Sequence, residues 1–383
     1  MKTQRPRIVL DALLVNDRPT GVGRSILELT RALSSNQWEM DFTLLAAKPY
    51  LFSWLDDCPE WTVQICPGAT GGTLRKALFT QWQIPRICRK LDADILHSLQ
   101  FVAPVSLPCF NVVTVHDLAW LRFPNTVEQP RKTYYRLMVP GSLQRAAAVV
   151  TNSQATAEDV RKYYPSCQNV SVTSFGTPSW VWQDVDKTPA QPKPRPFFLF
   201  VGTLEPRKNL ERILEAYKRL LEKEIEHGAS AWPSLVLVGG KGWKDSILRK
   251  LMEPLLQSGD LEVLEYCDIQ KLRQLYLSAQ ALLFPSLHEG FGFPILEAMA
   301  FGLPVVTSDL GAMAEVAGPF ALLVDPNNAD ELCNQMKKLA ESTELRSKLA
   351  IAGPQWARKW SWERTAQQTV AVYSQVLKGG FAQ

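Results

Sequence analysis

The stretch Ala281–Ser308 reads ALLFPSLHEGFGFPILEAMAFGLPVVTS and carries the clearest structural pattern of the chain. Its first four residues are apolar and predict a buried strand, after which Gly290 and Gly292 mark a loop. Pro294 suits the first turn of a helix, where its missing N–H costs nothing, and Gly302 closes that helix. A second apolar run then predicts another strand. This order of strand, loop, helix and strand is the repeating unit of a parallel α/β sheet.

The same alternation runs along the rest of the chain. Strands are predicted at Arg7–Leu14, Asp94–His97, Asn111–His116, Ala148–Asn152, Phe197–Val201, Leu235–Gly239, Val263–Tyr266, Ala281–Pro285, Pro304–Thr307 and Ala321–Val324. Helices are predicted at Arg24–Leu33, Leu210–Glu224 and Trp362–Leu377, with a glycine turn at Thr20–Gly23 before the first of them. Strands alternating with helices indicate an α/β protein with parallel sheets covered on both faces.

A break in composition divides the chain near its middle. Asp184–Pro196 reads DVDKTPAQPKPRP, and so many prolines favour an interdomain linker. A new strand-turn-helix unit begins directly after it. We therefore predict two Rossmann-like domains, 1–190 and 191–361, with sheets that face each other across a cleft. From the pattern alone, the helix within 362–383 can pack on either domain.

Composition and charge exclude several classes of protein. The 383 residues are 46% hydrophobic and 21% charged, with a net charge of +4 and the Lys and Arg residues interspersed, so a nucleic-acid surface is not expected. No apolar run approaches the ~18–20 residues of a membrane span. The seven cysteines are scattered without a C-x-x-C pair, which favours reduced thiols over zinc or disulfides. The apolar run near the N-terminus is too short for a signal peptide, and we expect a cytoplasmic protein.

The stretch EGFGFPILEAMAFGLPVV, which contains Glu289 and Glu297 in an E-x7-E arrangement, closely resembles the signature of glycosyltransferase family 4. VGTLEPRKN at 201–209 resembles the diphosphate-binding turn of that family, and TGVGR at 20–24 resembles its glycine loop. VHD at 115–117 resembles the segment whose histidine reaches the transferred sugar. One departure is FGTP at 175–178, where many relatives carry an asparagine–glycine pair.

The resemblance implies a GT-B fold and a retaining, metal-independent hexosyltransferase, with the last helix packing back on the first domain. The donor would be a nucleotide-diphosphate sugar, with GDP-mannose favoured. The acceptor would be a saccharide or a lipid-linked saccharide of cell-surface polysaccharide synthesis. The implied catalytic residues are Glu289, His116, Arg207 and Lys208. The implied donor-binding residues are Gly21, Gly23, Gly202, Thr203, Gly290, Phe291, Gly292 and Glu297. No cofactor or metal is expected.

The chemistry of the reaction explains why these residue types fit. Breaking a glycosyl–diphosphate bond builds negative charge on the departing phosphate, and fixed cations such as Arg207 and Lys208 stabilise that charge. An anionic Glu289 near the sugar favours a cationic ring. Glu297, which we expect inside the first turn of its helix, is implied to accept both hydroxyls of a ribose.

Three further stretches of the sequence each allow two interpretations. Asp92-Ala93-Asp94 and Asp184-Val185-Asp186 imitate a metal-binding D-x-D, but a strand edge and a solvated linker explain them better. The basic, aromatic segment Arg75–Lys90 is either an interfacial helix on an anionic membrane or a helix packed on the sheet by Leu78, Trp82 and Ile84.

A sugar-nucleotide epimerase and a non-catalytic nucleotide-sugar-binding protein remain the alternative functions.

Overall fold

The structure is a computed structural model that describes residues 5–17, 19–69, 71–124, 129–183, 193, 195–227, 232–240 and 246–379. The chain divides into two units, Met1–Gly176 with Ser361–Gln383, and Thr177–Trp360. The division therefore falls before the predicted boundary at 190, because the Thr177 hydroxyl donates to the Ala357 carbonyl at 2.7 Å and Trp180 packs on the ring of Phe301 in the second unit. Most of the proline-rich stretch Asp184–Pro196 lies outside the described residues.

Each unit is built on one parallel sheet. The strands are β1 (Arg7–Asp11), β2 (Asp41–Ala46), β3 (Trp61–Ile65), β4 (Ile95–Ser98), β5 (Phe110–Val115), β6 (Ala148–Thr151), β7 (Val170–Val172), β8 (Phe197–Val201), β9 (Ser234–Val238), β10 (Leu261–Leu264), β11 (Ala281–Phe284), β12 (Val305–Ser308) and β13 (Leu322–Val324). Their orders are β3-β2-β1-β4-β5-β6-β7 and β10-β9-β8-β11-β12-β13, with every pair parallel. The central strands are buried and apolar, as a sheet covered on both faces requires.

Helices connect the strands. They are α1 (Gly21–Ser34), α2 (Thr73–Leu78), α3 (Ile84–Lys90), α4 (Ala119–Arg122), α5 (Gln129–Gln144), α6 (Gln154–Tyr163), α7 (Leu210–His227), α8 (Ser246–Gln257), α9 (Ile269–Ser278), α10 (Phe293–Ala300), α11 (Gly311–Ala317), α12 (Ala329–Glu341), α13 (Thr343–Ala357) and α14 (Trp362–Leu377). The predicted α/β class is confirmed, and so are the bounds of α14.

Two predictions near the N-terminus are wrong. The first strand ends at Asp11 instead of Leu14, because the Asp11 carboxylate accepts the Leu13 N–H at 3.1 Å and turns the chain. The predicted turn Thr20–Gly23 is the start of α1, where the Thr20 carbonyl already accepts the Arg24 N–H at 2.8 Å. The helical hydrogen bonds outweigh the preference of glycine for turns.

Helix α14 belongs to the first unit and is anchored there by polar contacts. The Tyr373 hydroxyl lies 2.6 Å from Nδ1 of His97, which is fully buried on β4. Burial lowers the pKa of His97 to about 3, with the neighbouring His116 acting in the same direction, so the ring of His97 is neutral. Gly176 lies directly against Ser361 and Trp362, since a Cβ on it would come within 2.3 Å of the Trp362 nitrogen. This close approach explains the glycine in FGTP.

The segment Arg75–Lys90 agrees only in part with the prediction of a helix packed on the sheet. It comprises the end of α2, a π-helical turn at Phe79–Gln83, and α3. Ile84 is fully buried, but Leu78 is 52% exposed and Trp82 is 62% exposed, so these two side chains do not fix the segment to the sheet. No helix among the described residues is long and apolar enough to cross a membrane.

The first D-x-D sequence binds Arg7 at the start of β1, in agreement with the prediction that it lies at a strand edge. The Asp94 carboxylate accepts the backbone N–H of Arg7 at 2.8 Å, and the Asp92 carboxylate pairs with its guanidinium at 3.3 Å. The second, Asp184-Val185-Asp186, lies outside the described residues.

Candidate active site

Two loops of the second unit emerge side by side from the middle of its sheet. Strands β8 and β11 are neighbours, but the chain continues from β8 towards β9 and from β11 towards β12. Such a change of direction opens a crevice at the carboxyl ends of the two strands, where ligands bind in α/β proteins. The loop after β8 carries Arg207 and Lys208, and the loop after β11 carries Glu289.

These two loops meet in a buried cluster of charges. The Glu289 carboxylate accepts from Arg207 Nη1 at 2.8 Å with one oxygen and from Lys208 Nζ at 2.5 Å with the other. Arg207 Nε also donates to Glu205 at 2.9 Å. The side chains of Glu289 and Lys208 are 10% exposed, and that of Arg207 is 19% exposed. Three of the four implied catalytic residues thus lie together.

The charges of this cluster determine its protonation. Burial alone would raise the pKa of Glu289, but the charges of Lys208 and Arg207, together with the hydrogen bond from Lys208, outweigh burial and lower that pKa to about 2. Burial lowers the pKa of Lys208, with the neighbouring Arg207 acting in the same direction and Glu289 opposing both. Glu289 is therefore an anion at any physiological pH. Lys208 Nζ also lies 5.2 Å above the ring of Phe284, which supports its positive charge.

Backbone and amide hydrogen bonds hold the two loops in place. The Leu287 N–H donates to the Arg207 carbonyl at 2.8 Å. Asn209 adopts the left-handed conformation with φ of 62°, and its amide donates to the carbonyls of Pro285 and Pro326 at 2.9 and 2.6 Å. We did not single out Asn209 from the sequence. Its signal was the residue type, since asparagine tolerates this conformation better than most residues.

Two glycines shape the loop after β8. Gly202 has φ of 157°, at the limit of the range that favours glycine, and a Cβ there would contact the Lys208 stem at 3.6 Å. Gly239, at the end of β9, lies against Gly202 so closely that a Cβ would come 1.8 Å from the Gly202 carbonyl oxygen. The sequence analysis missed Gly239. The side chain of Thr203 is exposed.

The loop after β11 leads into α10 as the sequence predicts. Gly292 precedes the helix with φ of 108°, and Pro294 lies in its first turn. Gly290 is buried beside it. Phe291 is 4% exposed, and its ring packs on Phe293 at 5.3 Å, so its side chain belongs to the core and only its backbone faces the loop.

Glu297 is buried, with 2% of its surface exposed. It is the fifth residue of α10 and so lies beyond the first turn, contrary to the prediction. Tyr276 on α9 is 1% exposed, and its hydroxyl donates to Glu297 Oε2 at 2.8 Å. A solvated carboxylate that only stabilises the helix dipole is therefore excluded.

The other predicted residues lie in the first unit. His116 follows β5 and is 5% exposed, and its Nε2–H donates to the Leu99 carbonyl at 3.0 Å. Burial lowers the pKa of His116, which keeps the ring neutral. Gly21 and Gly23 form the first turn of α1, and a Cβ on Gly23 would lie 3.0 Å from that of Pro19.

Within the described ranges, no three His, Cys, Asp or Glu side chains come together as a metal ion would require. All seven cysteines are free thiols. The functional groups at the crevice of the second sheet are thus two cations and carboxylates, an arrangement suited to a phosphorylated ligand.

Two family models match this chain, one in each unit. A family model described as Glycosyltransferase Family 4 matches residues 19–176, and one described as Glycosyl transferases group 1 matches residues 183–356. The O-antigen chain mannosyltransferase B of Escherichia coli is 30% identical over 290 residues, which cover 73% of this chain and 74% of that protein. The O-antigen chain mannosyltransferase RfbU of Salmonella typhimurium is 28% identical over 238 residues, 62% of each chain.

Solved structures share the fold over nearly the whole chain. Sucrose-phosphate synthase from Thermosynechococcus elongatus superimposes with a TM-score of 0.71 at 22% identity, covering 98% of this chain and 100% of that one. WaaG, a glycosyltransferase involved in lipopolysaccharide biosynthesis, gives 0.69 at 17% identity, covering 97% and 100%. The protein is therefore an enzyme, a glycosyltransferase with the GT-B fold. It belongs to glycosyltransferase family 4 and resembles the mannosyltransferases of that family.

The contact between Gly239 and Gly202 gives a prediction with a matched control. Gly239→Ala should destabilise the second unit by about 3 kcal/mol, the upper range for overpacking a filled site, and should displace the turn that carries Arg207 and Lys208. Gly240→Ala should be nearly neutral, because its Cβ would meet its nearest atom, the Glu265 carbonyl oxygen, at 3.9 Å. Urea unfolding of both variants measures the difference, and equal stabilities would contradict the close contact.

Proposed function

We propose that this glycosyltransferase is a retaining mannosyltransferase that moves mannose from GDP-mannose to a glycan or lipid-linked acceptor in cell-surface polysaccharide synthesis. The observation that carries the proposal is the cluster of Arg207, Lys208 and Glu289 at the crevice of the second sheet. The choice of mannose rests on the relatives described as O-antigen mannosyltransferases.

The two cations would bind the diphosphate of the donor. Arg207 presents a planar fork that can bind two phosphate oxygens, and Lys208 acts as a point charge. Both are held in place before the donor binds, so their charge needs no reorganisation as the phosphate departs. In a retaining reaction with same-face attack, the departing phosphate oxygen takes the proton of the attacking hydroxyl.

Glu289 would serve two purposes. As an anion hydrogen-bonded to both cations, it holds them towards the crevice. When the diphosphate takes over part of their hydrogen bonds, the carboxylate becomes available to the sugar, where its charge favours a cationic ring.

The remaining donor contacts follow the family resemblance. Glu297 would accept the ribose hydroxyls, and Tyr276 orients its carboxylate. Backbone groups at Gly202–Thr203 and Gly290–Gly292 would line the donor, with Gly21 and Gly23 approaching it from the first unit. His116 would contact the transferred sugar.

We also propose that transfer needs no divalent metal and no cofactor, because the two cations supply the positive charge at the leaving group. Activity that EDTA abolishes and Mn²⁺ or Mg²⁺ restores would contradict this part of the proposal.

Two other activities are distinguished by incubating the protein with separate radiolabelled nucleotide sugars and no acceptor. Slow hydrolysis of the donor indicates a transferase, and an isomerised sugar indicates an epimerase. Binding of a nucleotide sugar without hydrolysis or isomerisation indicates a non-catalytic protein. Anabaena HepE is described in complex with UDP and glucose, so uridine donors belong in the same panel as GDP-mannose.

Arg207→Ala should lower the turnover of GDP-mannose by roughly 10²–10³-fold, the scale for losing one preorganised electrostatic contact. Arg219→Ala is the matched control, because Arg219 pairs with Glu215 and Asp330 on the surface of the same unit. Turnover is measured at saturating donor. Wild-type turnover in Arg207→Ala, or an equal loss in both variants, would remove Arg207 from the mechanism.

We further propose that the protein works at the cytoplasmic face of the membrane, in contact with anionic lipid. Leu74, Leu78 and Trp82 are 75%, 52% and 62% exposed, and Arg75 and Lys76 lie exposed among them. No acidic residue occurs between Glu60 and Asp92. Exposed apolar and cationic side chains on a segment that contains no acidic residue suit a negatively charged bilayer surface.

Vesicle flotation tests this contact. The protein should bind vesicles containing phosphatidylglycerol in preference to phosphatidylcholine vesicles. Arg75→Glu with Lys76→Glu should weaken binding by tenfold or more, since each cation near such a surface contributes about 1 kcal/mol. Trp82→Ser should also weaken binding, whereas Leu137→Ser, at a leucine of α5 that is 72% exposed, should not. Equal binding to both vesicle types would refute the contact.

A further inference from the structure

The second unit begins with residues 177–183, which we call the entry segment. Its first residue, Thr177, donates its hydroxyl to the Ala357 carbonyl at 2.7 Å. Its last residue, Gln183, accepts a hydrogen bond at 2.7 Å from Nη1 of Arg273 on α9. The entry segment is therefore fixed at both ends, and a buried side chain between these ends has little freedom to move.

Trp180, in the middle of the entry segment, packs against two aromatic rings. It is 8% exposed, and its ring centroid lies 5.6 Å from that of Phe301 and 6.4 Å from that of Tyr276. Tyr276 and Phe301 stack on each other at 5.7 Å, with 18° between their planes. These separations are those of aromatic pairs in contact. Each ring of the trio contacts both of the others, so the position of the Tyr276 ring depends on Trp180.

The Tyr276 hydroxyl links this trio to the carboxylate of Glu297. It donates to Glu297 Oε2 at 2.8 Å, and the two residues are 1% and 2% exposed. A tyrosine side chain has only two rotatable bonds, so a fixed ring also fixes the position of its hydroxyl. The longer and more flexible side chain of Glu297 needs such a partner to keep one orientation. A binding group has to lie within about 0.5 Å of its productive position, which requires support of this kind.

We propose that Trp180 is a positioning residue for the ribose of the nucleotide donor, acting through the ring of Tyr276 on the carboxylate of Glu297. The inference rests on the proposed role of Glu297 as the acceptor of the ribose hydroxyls. Residues 177–182 lie between the two matching family models and belong to neither of them. The entry segment thereby contributes to donor affinity through contacts that the family resemblance does not supply.

The test compares GDP with 2′,3′-dideoxy-GDP, which lacks both ribose hydroxyls, by calorimetry. Wild-type protein should prefer GDP by about tenfold or more, the scale of one hydrogen bond to a charged group. In Trp180→Leu and in Tyr276→Phe this preference should fall by about threefold or more, the lower range of coupling within one network. The affinity for the dideoxy nucleotide should stay nearly constant, because the proposed diphosphate contacts of Arg207 and Lys208 are unchanged.

Trp182→Leu is the matched control, because it makes the same substitution two residues further along the entry segment. Trp182 is 37% exposed, and the Arg358 guanidinium lies 4.7 Å from the centre of its ring. This variant should keep the wild-type preference for GDP. If Trp180→Leu does not fold, Trp180→Phe retains an apolar ring with a smaller contact area and should still lower the preference.

The double variant Trp180→Leu/Tyr276→Phe tests the route of the effect. If Trp180 acts through the Tyr276 hydroxyl, the double variant should show the same GDP preference as Tyr276→Phe alone. In turnover, Trp180→Leu should raise KM for GDP-mannose and leave kcat nearly unchanged, because the ribose is held alike before and during the reaction.

An unchanged GDP preference in folded Trp180→Leu would overturn the inference, since a residue that only packs the core affects stability alone. Losses that multiply in the double variant would also overturn it, and so would wild-type protein that binds nucleotide without regard to the ribose hydroxyls.

Failure of the proposed function is recognised separately. Wild-type protein that binds UDP in place of GDP contradicts the proposed donor, and the same preference is then measured with UDP and 2′,3′-dideoxy-UDP to test Trp180. Wild-type protein that binds no nucleoside diphosphate would overturn the proposed function and the inference with it.

Discussion

The structure of the crevice in the second sheet depends on one buried interaction, the carboxylate of Glu289 shared between Arg207 and Lys208. Three charged groups are brought out of water, and each would be costly alone. Glu289 accepts from Lys208 at 2.5 Å and from Arg207 at 2.8 Å, so each charge has a partner. These contacts join two loops, since Glu289 lies 81 and 82 residues after the two cations in the chain. The close contact between Gly239 and Gly202 and the hydrogen bonds of the Asn209 amide hold the two loop backbones in the positions that this interaction requires.

The two units use the same architecture for opposite chemistry. Each has a parallel sheet with a change of direction between neighbouring central strands, and each places polar residues at the carboxyl ends of those strands. In the second unit the residues are mainly cations, which suit a diphosphate. In the first unit they are the buried carboxylate of Asp11 and the neutral ring of His116, which donates through Nε2–H to the Leu99 carbonyl.

The sequence predicts most of the fold because short apolar strands and amphipathic helices leave local signals. It also predicts the identities of Arg207, Lys208 and Glu289, through the family resemblance. It does not predict that they pair with one another, since contacts between distant loops leave no local pattern. Gly239 was missed for the same reason, because its requirement for glycine comes from Gly202, which follows the neighbouring strand β8. The prediction of a turn at Thr20–Gly23 failed because glycine is common both in turns and in the first turn of a helix.

A double-mutant cycle on Glu289 and Lys208 tests the central interaction most directly, with urea unfolding measured at pH 7. The lowered pKa of Glu289 means that its contribution to stability is complete above the unfolded pKa of about 4.5 and is lost only as the pH falls towards 2. We predict that Glu289→Gln alone costs about 3–5 kcal/mol, the range for breaking a buried pair by removing one partner. Glu289→Gln combined with Lys208→Met should cost less than the sum of the single changes, with a coupling of about 1–3 kcal/mol. Single losses below about 0.5 kcal/mol that simply add would show that the buried ion pair does not hold the site together.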